Sequence, residues 1–262
     1  VNGSAARGVA LVTGAAGGIG TAVARLLAEQ GTPVAAVDLD TEQLWDTVGK
    51  LAAEGLPVHG RAADVTSSTE VEAVVSAVER QLGPIDYLAN AAGVLRLGEA
   101  RRLSDRDWQA TFAVNTDGVF LMSRAVVNRM VPRRRGAIVT VASNAAGTAR
   151  WNMAAYAASK AAAIAYTKCL GLEVAQYNIR CNLVAPGSTD TPMLHGMHPD
   201  GSAATASVTG DPAAYKVGIP LGKVARPQDI AHAAAFLLSD QAGQITMNAL
   251  TVDGGAALGV QV

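Results

Sequence analysis

The sequence predicts an α/β fold in one domain: a doubly wound, seven-stranded parallel sheet with helices on both faces. Three observations carry this. Short β-branched runs alternate with longer stretches of helical periodicity along the whole chain. Several strand-like runs are apolar at nearly every position, as strands covered on both faces are. The chain has 262 residues, half of them hydrophobic, which is enough for one sizeable core.

Val9-Ala10-Leu11-Val12-Thr13 reads as a buried first strand. Thr21 to Gln30 follows as a helix with Val23, Leu26 and Leu27 on one side, and Gly31 ends it as a C-terminal cap. Pro33 to Val37 is the second strand, closing on Asp38, and Thr41 to Glu54 is the second helix, stopped by Gly55. Val58 to Ala63 is the third strand, closing on Asp64. Ser67 to Gln81 is amphipathic, with Val71, Val74, Val75 and Val78 on one face. Gly83-Pro84 breaks it, and Ile85 to Ala89 is the fourth strand. From Ser104 a long helical region runs, with room for a break, to Met130. Gly136 to Ala142 is the fifth strand, Met153 to Gln176 a helix, and Ile179 to Val184 the sixth strand. Gly187 to Lys216 is rich in Gly, Ser, Thr and Pro and aperiodic, which is the mark of a lid or a locally disordered loop. Pro227 opens the last helix at its first turn, and Ala249 to Val252 is the final strand. The whole of 1–262 is expected to form the one domain, with a lid over about 187–217.

A net charge of -1 excludes the electrostatic footprint of a nucleic-acid binder. The one basic run, Arg133-Arg134-Arg135, reads as a solvated loop. Two cysteines, Cys169 and Cys181, both in apolar surroundings, make no disulfide framework and suit a reduced cytoplasmic setting. No apolar run reaches the ~18 residues of a membrane span, and Val1 to Arg7 carries no signal-peptide core. The four histidines, His59, His195, His198 and His232, form no metal-ligand set. His195 and His198 fall in the lid, where an exposed loop role is expected of them, with contact to substrate as the alternative.

Gly14, Gly18 and Gly20, in Thr13-Gly14-Ala15-Ala16-Gly17-Gly18-Ile19-Gly20, follow the first strand and open the first helix. A tight turn, close backbone approach and a helix N-terminus together bind a pyrophosphate. The spacing is Gly-x-x-x-Gly-x-Gly rather than Gly-x-Gly-x-x-Gly, so the strand–turn–helix context carries the reading of a Rossmann dinucleotide site. Asp38 lies 18 residues past Gly20. A carboxylate there accepts hydrogen bonds from both adenosine ribose hydroxyls and repels a 2′-phosphate. No basic residue follows in Leu39-Asp40-Thr41, and Ala15 and Ala16 supply none, so NAD is favoured over NADP. Asp64-Val65 and Asn90-Ala91-Ala92-Gly93 end the third and fourth strands at the carboxyl edge of the sheet, where such folds bind ligands. Each alone is also consistent with turn chemistry.

Tyr156 and Lys160 stand one helical turn apart in Tyr156-Ala157-Ala158-Ser159-Lys160, thirteen residues after Ser143. A phenol and an ammonium on one face make a proton-transfer device. The phenol pKa of about 10 must fall for it to act as a base, and the ammonium with a positive nicotinamide ring is expected to lower it by ~2–3 units. Ser143 can hydrogen-bond the reacting oxygen. Asn115, mid-helix in Phe112-Ala113-Val114-Asn115, is mildly unfavourable there and is expected to have a polar task. Taken singly, each of these residue types ordinarily serves structure. The joint pattern carries the argument.

With these pieces in order the chain resembles the short-chain dehydrogenase/reductase family. The matching residues are Thr13-Gly14-x-x-x-Gly18-x-Gly20, Asn90-Ala91-Ala92-Gly93, Asn115, Ser143, Tyr156-x-x-x-Lys160, Pro186-Gly187 and Asp253-Gly254-Gly255. The resemblance implies an NAD-dependent oxidoreductase with Tyr156 as general base. Lys160 would hold the nicotinamide ribose, Ser143 would orient the substrate oxygen, and Asn115 would anchor a relay water. Ile19, Leu39, Ala91, Gly93, Pro186, Gly187 and Thr189 join the cofactor set, and a cytoplasmic homotetramer is implied.

A narrower resemblance is to 2,3-dihydro-2,3-dihydroxybenzoate dehydrogenases. It rests on Val141 to Ala146, Met153-Ala154-Ala155-Tyr156, Pro186 to Thr191 and Gly218 to Pro227. Those enzymes oxidise the C3 alcohol of a cyclohexadiene carboxylate, which then aromatises. Such a substrate needs a cation, and a guanidinium fork matches a carboxylate. Arg96 and Arg150 are the candidates. The chain departs from that subfamily at Trp151-Asn152-Met153, at Gly243 to Asn248 and in the lid, where the resemblance implies other residues. Asn152, Met153 and Gln244 are expected at the pocket wall. Two amides there leave open a second substrate, trans-2,3-dihydro-3-hydroxyanthranilate, with an amino group at C2. The rivals are an NADPH-dependent ketoacyl or sugar reductase, opposed by Asp38, and a non-catalytic nucleotide-binding protein, opposed by the intact Ser143, Tyr156 and Lys160.

Overall fold

The alternation read from the sequence is realised element by element. The structure, a computed structural model, describes residues 8–260, so the reading of Val1 to Arg7 falls outside the described residues. The chain runs β1 (Val9–Thr13), α1 (Gly18–Glu29), β2 (Val34–Asp38), α2 (Thr41–Ala53), β3 (Val58–Ala62), α3 (Ser68–Gln81) and β4 (Ile85–Asn90). It continues with α4 (Asp105–Phe112), α5 (Gly118–Arg133), β5 (Gly136–Val141), α6 (Ala154–Val174) and β6 (Ile179–Pro186). The last third holds α7 (Pro192–Gly196), α8 (Ala203–Thr209), β7 (Gly210–Asp211), β8 (Lys216–Val217), α9 (Pro227–Leu238) and β9 (Ala249–Val252).

Seven strands form one parallel sheet in the order β3-β2-β1-β4-β5-β6-β9. Side chains alternate across it. Ala10 and Val12 face a core shared with α1, α2 and α9, while Val9 and Leu11 face one shared with α3 and α5. The order reverses between β1 and β4, which opens a crevice at their carboxyl ends.

Several local readings are corrected. The first helix begins at Gly18, not Thr21, because the glycine turn itself winds into the helix. The long helical region is divided by a π turn over Ala113–Asp117. The segment 187–216 carries two short helices and the β7–β8 hairpin, all below the length at which periodicity is readable. Thr191 caps the first of these by accepting from the Leu194 N–H, and the hairpin turns through Tyr215 at φ 52°. The basic run is not a free solvated loop. Arg133 bonds Glu79 at 2.9 Å, Arg134 donates to the carbonyl of Gln176 at 2.7 Å, and Arg135 pairs with Asp86. Cys181 is buried but Cys169 is exposed. No helix among the described residues is long and apolar enough to cross a membrane.

Candidate active site

At the crevice Gly14 adopts φ 65°, a conformation that costs little only for glycine. A Cβ there would lie 2.6 Å from the Ala92 amide nitrogen, so the turns after β1 and β4 meet backbone to backbone. Thr13 pins them together, its hydroxyl accepting from the Ala91 and Ala92 N–H groups. Gly20 closes on Gly14, where a Cβ would meet the carbonyl oxygen at 2.0 Å. Gly17, the residue capping α1, has no side chain to engage the first N–H groups of the helix. That leaves them for a pyrophosphate. Asp38 stands beside this turn and accepts from Ala16 N–H at 2.9 Å and Asp40 N–H at 3.1 Å. A carboxylate has about four acceptor sites, so two are left for ribose hydroxyls. The cradle thus fits a dinucleotide, and Asp38 fits one without a 2′-phosphate.

Farther along the same edge lies a cavity of about 380 Å³, within the size range of small-molecule sites. Ser143 after β5, Tyr156 in the first turn of α6 and Lys160 one turn on all line it. Lys160 is buried, and its ammonium donates to the Val141 carbonyl at 2.8 Å. It lies 5.8 Å from the centre of the Tyr156 ring. Burial pulls the Lys160 pKa down to about 8. Burial also pushes the Tyr156 phenol up, against the expected direction, and the hydrogen bond from Ser143 draws it back down. The serine hydrogen bond thus favours the phenolate in the protein itself.

Asn115 is fully buried in the π turn. Its amide exchanges two 2.9 Å bonds with the Val94 backbone and donates to the Ser159 hydroxyl at 3.0 Å. It thereby ties the turn after β4 to the helix carrying Tyr156. Both amide N–H groups are occupied by this task, while the oxygen accepts one bond and keeps a second acceptor site.

The short chain dehydrogenase family model matches residues 8–201. This chain belongs to the short-chain dehydrogenase family. It is 55% identical to 2,3-dihydro-2,3-dihydroxybenzoate dehydrogenase of Bacillus subtilis (strain 168), over 96% of this chain and 97% of that one. It is 43% identical to the enzyme of the same name from Escherichia coli (strain K12), over 95% and 96%. Among solved structures, an actinorhodin polyketide ketoreductase variant with NADPH superposes with a TM-score of 0.87 at 35% identity, covering 95% of this chain and 97% of that one.

Around the cavity this dehydrogenase places Ile19, Ala91, Gly93, Pro186, Gly187 and Thr189 of the expected cofactor set, and Arg150, Asn152 and Met153 of the expected substrate set. Gly18 lies under Thr191, where a Cβ would meet the threonine methyl at 2.8 Å. Asp64 accepts from Thr66, and exposed Leu39 follows Asp38 at the rim. Two expected cofactor residues instead point into the protein. Val65 is buried against Gly118, and the Asn90 amide donates to Ser123 at 2.9 Å beneath the sheet edge.

Two substrate expectations are not met. Arg96 is exposed and lies outside the cavity, while its neighbours Leu95 and Leu97 line it. In an extended segment adjacent side chains point to opposite sides. Gln244 precedes β9, which runs parallel to β6, and Asn248 bonds across to Leu183 near the start of that pairing. Gln244 therefore sits at the amino edge of the sheet, opposite the cavity. Arg150 does face the cavity, half-buried, donating to the Ala256 carbonyl at 3.4 Å, with burial lowering its pKa. Asn152 takes φ 60°, and its carbonyl accepts from Gly98 N–H at 3.0 Å.

The cavity also contains residues that the sequence did not signal. Ser207, Asp211 and Lys216 line it from the segment 187–217, beside His198, whose alternative reading as a substrate contact this position favours. Their only trace in the sequence was a lid of unusual length. His195 instead pairs with Asp190 at 2.7 Å on the surface. No cluster of metal-binding side chains occurs among the described residues.

Proposed function

We propose that this dehydrogenase oxidises the C3 alcohol of 2,3-dihydro-2,3-dihydroxybenzoate to a ketone that tautomerises to 2,3-dihydroxybenzoate. Gly14, Gly18, Gly20 and Asp38 would hold NAD, which would supply the chemistry of hydride acceptance. The observation that carries the reading is one cavity lined by Ser143, Tyr156 and Lys160 together with the half-buried cation Arg150. An alcohol-oxidising group and a carboxylate partner share one small apolar space. Ser143 orients the reacting hydroxyl and draws down the Tyr156 phenol, which takes the hydroxyl proton as C3 gives up its hydrogen with both bond electrons as hydride, leaving the C=O bond. Lys160, anchored on Val141 and 5.8 Å from the Tyr156 ring centre, would stabilise the phenolate and hold the nicotinamide ribose. Asn115 positions the turn above them, and the free acceptor site on its oxygen would anchor a relay water.

The 55% identity to a dihydroxybenzoate dehydrogenase supports the C2 hydroxyl. The amino analogue, trans-2,3-dihydro-3-hydroxyanthranilate, rests on Asn152 alone now that Gln244 lies on the opposite edge. We place the enzyme in the cytoplasm, acting as a homotetramer whose protomer is one domain with a lid over about 187–217.

The test is NADH release from both dihydro acids in parallel. Turnover of the dihydroxybenzoate precursor with a higher kcat/KM supports the reading. Preference for the amino compound reverses the substrate, and no turnover of either removes the reading.

A further inference from the structure

The two half-buried cations in the cavity are on different parts of the protein. Arg150 belongs to the fixed wall between β5 and α6, and Lys216 to the lid hairpin. They face one space, and each lowers its burden of charge only indirectly. Arg150 has Asp253 nearby, but that carboxylate already accepts from Asn144, Gly255 and Ala257. Lys216 pairs across the hairpin with Asp211, and the Arg150 charge adds to burial in disfavouring its ammonium. Two like charges brought to one apolar cavity are stabilised most by an anion between them.

An independent observation lies in the same lid. Ser207, on α8, is wholly buried, lines the cavity, and its hydroxyl has no hydrogen-bond partner among the described residues. Buried hydroxyls are nearly always satisfied, so an unpartnered one just behind a cavity wall calls for a partner, which a rotation of the side chain toward the cavity would give it. Ser207 and Lys216 are tied together through the backbone, since Ile219 N–H bonds the Val208 carbonyl and Gly210 pairs with Val217.

We propose that Lys216 and Ser207 of the lid, together with Arg150 of the wall, form the subsite that grips the substrate carboxylate. The lid then closes on the carboxylate itself. Leu95, Leu97, Leu194 and Ile219 cover the ring face beside it. The inference rests on the function proposed above for its substrate but specifies which side chains read it. It makes Lys216 and Ser207 specificity residues that stand outside the proton-transfer group.

The experiment compares 2,3-dihydro-2,3-dihydroxybenzoate with 3,5-cyclohexadiene-1,2-diol, which lacks the carboxylate, in the full enzyme with NAD. Lys216→Met should lower the selectivity for the acid, as a ratio of kcat/KM values, by about 10- to 100-fold, the loss of one charge-assisted hydrogen bond. Lys216→Arg should recover most of it. Ser207→Ala should raise KM for the acid while leaving the thermal midpoint unchanged or higher, since the hydroxyl bonds nothing in the free protein. Lys216→Met combined with Arg150→Met should fall short of the sum of the single losses, because both hold one group. Unchanged selectivity in Lys216→Met overturns the subsite, and so does a weakened NAD affinity with selectivity intact, which would make Lys216 a cofactor contact. Should the wild type oxidise neither diol, the functional reading fails separately. The subsite is then read by quenching of Trp151, which lines the cavity, with 2,3-dihydroxybenzoate against catechol. Tighter binding of the acid that Lys216→Met abolishes sustains the inference, and equal binding of the two overturns it.

Discussion

The Lys160 ammonium donates a 2.8 Å hydrogen bond to the carbonyl oxygen of Val141, two residues before Ser143. One strand end thus carries the serine and also fixes the lysine that serves the tyrosine. The ammonium stands 5.8 Å from the centre of the Tyr156 ring.

The Lys160 site has a measurable cost. Its folded pKa is about 8, against about 10.4 for a free lysine. Below pH ~8 both folded and unfolded chains hold the proton and the burial cost is fully present. Between those values the unfolded chain binds more protons, so stability rises with pH. Chemical denaturation of the wild type and Lys160→Met from pH 7 to 10.5 should show the wild type gaining on the variant by about 3 kcal/mol across that window. A pH-independent difference would count against a buried ammonium.

Ser143 pulls the Tyr156 pKa down while burial pushes it up. A base must lose its proton to act, so raising its pKa moves the rising limb of kcat/KM for alcohol oxidation to higher pH. Ser143→Ala should shift that limb upward. Tyr156→Phe should cut NADH production by on the order of 10³-fold or more and leave NAD binding intact. Ordinary turnover by Tyr156→Phe would remove the phenol from the mechanism.

Asp38 spends two acceptor sites on Ala16 and Asp40 and keeps the others at the ribose position. The wild type should prefer NAD to NADP, and Asp38→Asn should narrow the preference by at least about tenfold, or ~1.4 kcal/mol. Kinetics with both cofactors decide this. Equal efficiency in the wild type would show that Asp38 does not guard the ribose.

Gly14 combines a positive φ with a neighbour 2.6 Å from where a Cβ would stand. Gly14→Ala should therefore lose about 2 kcal/mol or more of stability and weaken NAD binding, because the Ala92 turn must retreat. A denaturation midpoint equal to the wild type would show that the two turns are not in contact.

The sequence by itself determined what local chemistry determines. Glycines that tolerate close approach, a carboxylate at a strand end and a phenol one turn from an ammonium are all short-range patterns, and a helix or a β-turn-α unit places them without help. The sheet was legible for the same reason, since seven short apolar runs separated by helical stretches can pair in few ways. Tertiary structure decided everything that depended on strand direction and on packing between distant segments. Arg96 and Gln244 had suitable chemistry, but an extended segment turned one outward and the direction of β9 carried the other to the far edge. The side chains of Asn90, Val65 and Asn115 also brace the interior, on Ser123, Gly118 and Val94, partners that are remote or lie in a different element. Lys216 and Ser207 entered the cavity on helices and strands too short to have a period, held in place by backbone bonds between the lid's own strands. A lone lysine in an aperiodic stretch carries no sign of burial. Only the folded lid brings it opposite Arg150.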